Sequence, residues 1–287
     1  MRESADLHDE SSLANREGPA VVDICLHPRL GYCNIVIRHF EKKAQTSRPA
    51  TAENKKKEAM ALKPTLMTTT LWDFPSQQYG KETQGSKDYK GATPAYIQWN
   101  LIQRYTRPKE LVVDPMAGSG TTLDVARELG RRALGYDVNV TRNDIFNCDA
   151  RKLPLEDEKA ALVFVDPPYS THINYSDDPR CIGKLTAREP AYYEAMKLVI
   201  AEMARILKPG RHAALYVSDS LVKGKHFCPI GFELFGLMSR HFTPVDIICV
   251  TRRNTSLSKG NYHKAAQEGN FFLRGFNYLF IMQKPEK

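Results

Sequence analysis

Two apolar runs in this chain each stop at an aspartate-proline pair, and that repeated stop narrows the possible folds more than any other feature. Leu111-Val112-Val113 ends in Asp114-Pro115-Met116-Ala117-Gly118-Ser119-Gly120-Thr121-Thr122. About fifty residues later Ala161-Leu162-Val163-Phe164-Val165 ends in Asp166-Pro167-Pro168-Tyr169. Runs this short and this apolar read as strands buried on both faces, the pattern of a parallel sheet covered by helices. Open sheets of that kind bind ligands at the carboxyl ends of their strands. The two polar loops therefore read as one site, built at the ends of two neighbouring strands.

The rest of the chain from Leu71 onward agrees with a doubly covered sheet. Periodicity predicts helices over 94–105, 121–130, 192–207 and 230–240, and strands over 111–114, 133–137, 161–165, 212–219, 245–251 and 278–283. Alternating strands and helices imply an α/β fold with a mostly parallel sheet. No helix of ordinary length is expected between the last two strands, so one of them is expected to run antiparallel at the edge.

Gly118 and Gly120 let the backbone turn tightly and approach a ligand, and Thr121 and Thr122 are suited to cap the following helix. The loop is not a dinucleotide fingerprint, because Leu123 occupies the place of the third glycine. Nor is it a phosphate-binding P-loop, because threonine rather than lysine follows Gly120. S-adenosyl-L-methionine, with no phosphate to cradle, fits better than NAD or ATP. Asp114, Pro115, Ala117 and Ser119 complete the loop. Asp137 ends the next strand, roughly twenty residues after the glycines, where a carboxylate accepts hydrogen bonds from ribose hydroxyls. Asp149 follows a third strand and is placed to accept a hydrogen bond from an adenine amine.

In the second loop, the Asp166 carboxylate and the Pro167 carbonyl are two acceptors held by a stiff Pro-Pro backbone. An exocyclic amine of a nucleobase is a poor nucleophile, because its lone pair is delocalised into the ring. Acceptors that hold its two hydrogens turn that lone pair toward an electrophile, and Tyr169 offers a flat face for an extruded base. No covalent nucleophile is required.

At 287 residues the chain holds one sizeable domain with length to spare. Residues 1–60 are polar and lack sustained period, carrying ten Lys/Arg against nine Asp/Glu, and read as a poorly ordered extension. Met60 or Met67 is a candidate alternative start. The formal charge of +8 leaves +7 on residues 61–287, so the expected catalytic body is basic and suits a polyanionic partner. None of the six cysteines lies in a C-x-x-C pair, and no Cys/His spacing resembles a zinc site, so neither metal nor disulfides are expected. No apolar stretch is long enough to span a bilayer, and a cytoplasmic protein is expected.

These residues resemble the amino-methyltransferases of nucleic acid, chiefly those acting on adenine or cytosine amines in DNA. The resemblance covers roughly residues 68–284. Asp114 to Thr122 is similar to the family's cofactor motif and Asp166 to Tyr169 to its catalytic motif. Leu71-Trp72-Asp73-Phe74 and the helix starting near Thr93-Pro94 resemble an additional cofactor-contacting motif, which makes Trp72 and Phe74 candidate cofactor residues. The resemblance implies a Rossmann-like, seven-stranded class I methyltransferase fold with S-adenosyl-L-methionine as methyl donor. The aspartate form of the tetrapeptide implies adenine N6 before cytosine N4. Only about 40 residues separate the two motifs, too few for a target-recognition domain. Relaxed specificity or a partner protein is therefore expected. Enzymes methylating the guanine amine in tRNA are also similar, with an Asp-Pro-Pro-Tyr loop and a stretch like Asp149-Ala150-Arg151-Lys152-Leu153-Pro154. A module that binds cofactor or nucleic acid without turnover is a further alternative.

Three segments follow strand ends on the ligand side: 170–184, 219–226 and 252–274. The first contributes His172 and Tyr175. The third interleaves Arg252, Arg253, Lys259, Lys264 and Arg274 with Tyr262 and His263. Cations contact phosphates while aromatics stack on bases, so these are the candidate nucleic-acid contacts.

Overall fold

In a computed structural model of the chain, the described residues are 21–26 and 33–38, for their backbone, together with 63–86, 89, 91–169, 174–222, 224–253 and 257–286. Two units divide between Ala50 and Thr51. In the first, β1 (Val21–Leu26) and β2 (Cys33–Arg38) pair antiparallel, with Val21 opposite Arg38 and Leu26 opposite Cys33. They fall on residues 21–26 and within 32–40, where apolar residues cluster in the otherwise polar segment.

The second unit runs in order β3 (Leu71–Trp72), α1 (Ala95–Tyr105), β4 (Leu111–Asp114), α2 (Thr121–Glu128), β5 (Arg132–Asp137), β6 (Ile145–Asn147) and β7 (Ala160–Val165). It continues with α3 (Pro190–Ile206), β8 (Leu207–Val217), α4 (Ile230–Met238), β9 (Thr243–Thr251), α5 (Gly260–Glu268) and β10 (Phe276–Gln283). One eight-stranded sheet holds them in the order β3-β9-β10-β8-β7-β4-β5-β6. Every pairing is parallel except those of β10, which is antiparallel to both β8 and β9. The result is the expected Rossmann-like α/β sheet.

Period-two alternation sends neighbouring residues of each strand into opposite layers. Val113, Val163, Leu215 and Val217 face a core shared with Met196, Ile200 and Met203 of α3. Val112, Leu162, Phe164, Ala214, Tyr216 and Leu279 face a second core closed by Ile97, Leu101 and Ile102 of α1 and Val125 of α2. The central strands are therefore apolar on both faces, and polar side chains accumulate only at their ends.

Three features depart from the sequence expectation. Eight strands stand where seven were expected, the addition being the two-residue β3, too short to leave a pattern. The antiparallel strand is β10, and it inserts between β8 and β9, leaving β9 and β3 outside it. A helix, α5, also lies between β9 and β10; it buries none of its residues, so no apolar period marks it.

Candidate active site

The carboxyl ends of β4, β5, β7, β8 and β9 and the amino end of antiparallel β10 border a cavity of about 550 Å3. That size suits a ligand of cofactor dimensions. Both Asp-Pro loops open into it: Asp114 to Ser119 with Thr121 and Thr122 on one side, Asp166 to Tyr169 on the other. The site inferred from two separate apolar stops is thus a single space.

Asp114, 3 % exposed, ties the first loop together. One of its oxygens accepts from the Met116 N–H (3.0 Å) and the other from Thr122 Oγ1 (2.5 Å). Gly118 and Gly120 take the left-handed conformation, with φ of +46° and +81°. A Cβ on Gly118 would lie 2.8 Å from the Tyr89 ring, so glycine is what lets Tyr89 pack against the loop. Gly120 does not line the cavity; it starts α2 and lies against Arg142, whose guanidinium forms a fork of two 2.7 Å bonds with Asp124.

Asp137, at the end of β5, accepts from the Gly118 N–H (2.9 Å) and the Asn139 N–H (2.8 Å). Burial raises its carboxyl, and these backbone hydrogen bonds partly offset the effect. Asp149 lines the same wall. Burial pushes its carboxyl up, but the Arg151 guanidinium and N–H outweigh burial and hold it below the usual range. Phe74 reaches the cavity and stacks on Tyr96 with centroids 5.0 Å apart. Trp72 lies deeper, edge-on to Phe74, and its indole N–H donates to the Thr69 carbonyl at 2.8 Å. Trp72 therefore supports the wall from behind and is absent from the lining.

In the second loop, Asp166 Oδ2 accepts a 2.6 Å hydrogen bond from Thr93 Oγ1 just before α1. Burial pushes the Asp166 carboxyl up to about 7, Thr93 pulls it partly back, and the Asp114 charge adds to the rise. Burial also takes Asp114 up to about 7, against its bonds to Thr122 and Met116. Both folded values exceed the ordinary 3.8. Each group's contribution to stability is therefore full below about pH 4 and is lost as pH rises through about 7. Two carboxyls that are costly to ionise, on adjacent strands, mark a functional site more readily than a structural one.

Arg180 and Tyr175 lie beside the Asp137 and Asp149 side, Arg180 donating to Asn147 Oδ1 and the Tyr175 carbonyl accepting from Asn139, while Tyr216, Asn277, Arg252 and Arg253 line the cavity from β8, β9 and β10. Arg252 donates to Ser218 Oγ at 3.1 Å, and Arg253 forks onto Asp73. Lys259, Tyr262, His263, Lys264 and Arg274 do not line the cavity. They belong to the 252–274 excursion, which leaves the sheet after Thr251 and returns at Phe276, between the cavity residues Arg252 and Asn277. Phe272, in that excursion, is 81 % exposed. Arg274 lies over the Phe227 ring, 5.3 Å from its centroid. His172 lies outside the described residues.

Sequence reasoning named Thr93 only as the start of a motif helix, not as a partner of Asp166, and passed over Tyr89, Tyr216 and Asn277. Thr93 carried a signal, since it precedes the helix-initiating Pro94. Tyr216 and Asn277 carried none, lying in otherwise apolar strands. Among the described residues, no group of three His, Cys, Asp or Glu side chains has metal-site geometry, and no helix is long and apolar enough to cross a membrane. Cys148, Cys181, Cys228 and Cys249 are free thiols.

Residues 29–147 match the sequence model of a family described as DNA methylase. The match takes in Trp72, Phe74, the glycine loop and Asp137, and stops before Asp166. The type II methyltransferase M.HindIII of Haemophilus influenzae is 40 % identical over 75 residues, covering 26 % of this chain and 23 % of that protein. The type II methyltransferase M1.MboII of Moraxella bovis is 33 % identical over 72 residues, 24 % of this chain and 28 % of that one. The chain thus matches about a quarter of each relative's length. The solved structure of TrmN from Thermus thermophilus superposes with a TM-score of 0.45 at 16 % identity, over 68 % of this chain and 50 % of that one. Residues 29–147 are therefore similar to the DNA methylase family, and the similarity to its individual members is confined to part of their length.

Proposed function

We propose that this protein transfers a methyl group from S-adenosyl-L-methionine to an exocyclic amine of a base in DNA, adenine N6 before cytosine N4. The observation that carries the proposal is the single cavity onto which the glycine loop and the Asp-Pro-Pro-Tyr loop both open.

The lining fits the cofactor. The Gly118 backbone lines the cavity, Phe74 presents an aromatic face, and Asp137 and Asp149 present carboxylates at the ends of successive strands. Four carboxyl groups, those of Asp114, Asp137, Asp149 and Asp166, surround the space, which suits a cationic sulfonium group. Asp137 would hold the ribose hydroxyls and Asp149 the adenine amine. When bound, the cofactor supplies an electrophilic methyl group.

The residues of the chain do the rest by position. Thr93 holds one oxygen of Asp166 and leaves the other for a hydrogen of the target amine. The Pro167 carbonyl takes the second hydrogen, and the Tyr169 ring stacks on the extruded base. Arg252, Arg253 and Tyr175 in the lining, with Lys259, Tyr262, His263, Lys264 and Arg274 outside it, provide the cationic and aromatic surface for the DNA strand. The exposure of Phe272, and α5 burying none of its residues, support that use, because such a surface is not spent on the protein's own core.

A pH effect follows from Thr93. Its hydrogen bond favours the charged form of Asp166, so Thr93→Val raises the Asp166 pKa further. Transfer that depends on ionised Asp166 falls as pH drops below about 7 in the wild type. Thr93→Val is expected to move that fall to higher pH, with a stability loss of about 1 kcal/mol. A pH–rate profile for the two proteins checks it; coincident profiles would remove Thr93 from the account.

Incubating the purified chain with methyl-labelled S-adenosyl-L-methionine and either unmethylated genomic DNA or bulk tRNA tests the polymer. Label in DNA that declines steeply with salt is expected. Label confined to tRNA would transfer the protein to the tRNA reading, and cofactor binding without label in either would favour a module without turnover.

A further inference from the structure

The wall opposite the glycine loop contains a polar pair with an unmet hydrogen-bonding group. Asn277 Nδ2 donates to Tyr216 Oη at 2.5 Å, while Asn277 Oδ1 is buried and has no partner among the described residues. Asn277 is 8 % exposed and Tyr216 6 %, and both line the cavity. A buried acceptor without a partner is costly, and in a ligand cavity it marks a position that the ligand fills.

Sheet register shows which part of the ligand. Phe164 pairs with Ala214, so Asp166 and Tyr216, two residues on, project from the same face. Tyr216 pairs with Leu279, and Asn277 shares the face of Leu279. Asp166, Tyr216 and Asn277 therefore form a row across three adjacent strands, β7, β8 and β10. Beneath it lies the apolar layer of Phe164, Ala214 and Leu279. Because Tyr216 Oη accepts from Asn277, its own proton is free to donate into the cavity. From Asp166 outward the row reads acceptor, donor, acceptor.

We infer that Tyr216 and Asn277 read the edge of the target base beside its amine and select adenine over cytosine. This rests on the reading of the site as a base amino-methyltransferase. In both bases the ring nitrogen next to the amine is an acceptor, which matches the Tyr216 hydroxyl. The next ring position distinguishes them: adenine has a C–H there, and cytosine a carbonyl oxygen. Asn277 Oδ1 accepts a weak contact from the C–H and repels the carbonyl. Turning the amide over does not rescue cytosine. Tyr216 would then donate to Asn277 and present lone pairs to the cytosine ring nitrogen. The two groups are coupled, so neither arrangement satisfies cytosine at both positions.

Wild type, Asn277→Ala and Tyr216→Phe are compared on unmethylated genomic DNA, with N6-methyladenine and N4-methylcytosine quantified by mass spectrometry. Affinity for S-adenosylhomocysteine and the melting temperature are measured on the same proteins. Asn277→Ala is expected to raise the methylcytosine-to-methyladenine ratio about tenfold or more. Tyr216→Phe is expected to lower kcat/KM on DNA by about tenfold or more, with cofactor affinity unchanged in both variants. An unchanged product ratio in Asn277→Ala together with an unchanged rate in Tyr216→Phe would overturn the inference while leaving the site reading intact. Parallel loss of cofactor affinity and melting temperature in both variants would overturn it in favour of a structural pair. A wild type that labels no DNA base would remove the site reading, and the inference with it.

Discussion

Replacing Asp166 with alanine is expected to slow methyl transfer by about 10²–10³-fold, while affinity for S-adenosylhomocysteine stays within about twofold. The asymmetry follows from the site. Asp166 lies on the second loop, held by Thr93, whereas the hydrogen-bond anchors of the glycine loop are Asp114 and Asp137. If Asp166 accepts from the target amine as proposed, its removal forfeits stabilisation that matters mainly as the nitrogen becomes nucleophilic, so the loss falls on kcat rather than on cofactor binding. The fold should not suffer, because a carboxyl whose pKa is raised to about 7 is costly to ionise at neutral pH. Asp166→Asn separates geometry from charge: it keeps one acceptor oxygen and is expected to retain some rate but lose the fall below about pH 7. Single-turnover rates and calorimetric cofactor titrations check both variants. Equal losses of rate and cofactor affinity would place Asp166 in the cofactor site instead.

Asp137→Ala is expected to do the opposite, weakening cofactor affinity on the order of 100-fold with a smaller effect on DNA binding. The Asp137 carboxylate holds the Gly118 and Asn139 N–H groups from its two oxygens, so alanine orphans two donors beside a left-handed glycine. A buried donor without a partner costs about 1–3 kcal/mol, and the loop that packs on Tyr89 loses its tether. The proposed hydrogen bonds to the ribose disappear with the same carboxylate. Titration with S-adenosylhomocysteine is the check, and an affinity within about twofold of wild type would remove Asp137 from the cofactor wall.

The parts of this site that the sequence made legible share one physical property: each is a polar break in an apolar run. Asp114 and Asp166 interrupt stretches buried on both faces, and a carboxylate has no place there unless the chain has reached the end of the sheet. The glycines are visible for a similar reason, since Gly118 and Gly120 satisfy a backbone requirement that is local. Tyr216 and Asn277 are the contrary case. Each stands among core residues of its strand, and their hydrogen bond spans 61 positions, so only the pairing of β8 with β10 brings them together. Thr93 reaches Asp166 across 73 positions. Trp72 reads in the sequence as a contact because it is an aromatic beside a cofactor motif; in the fold it packs edge-on to Phe74, which lines the cavity while Trp72 does not. The helix α5 escaped because helices are found by their buried stripe, and this one has none.

In the proposed reaction the acceptor of the methyl group is an exocyclic base nitrogen. The most direct test is to digest DNA methylated by the purified chain with isotopically labelled donor and identify the labelled nucleoside by mass and fragmentation. The account predicts N6-methyladenine as the main product, with N4-methylcytosine minor. Label on a ring carbon, a ribose oxygen or a small molecule alone would contradict it, because none of these presents the amine hydrogens that the proposed reaction assigns to Asp166 and the Pro167 carbonyl.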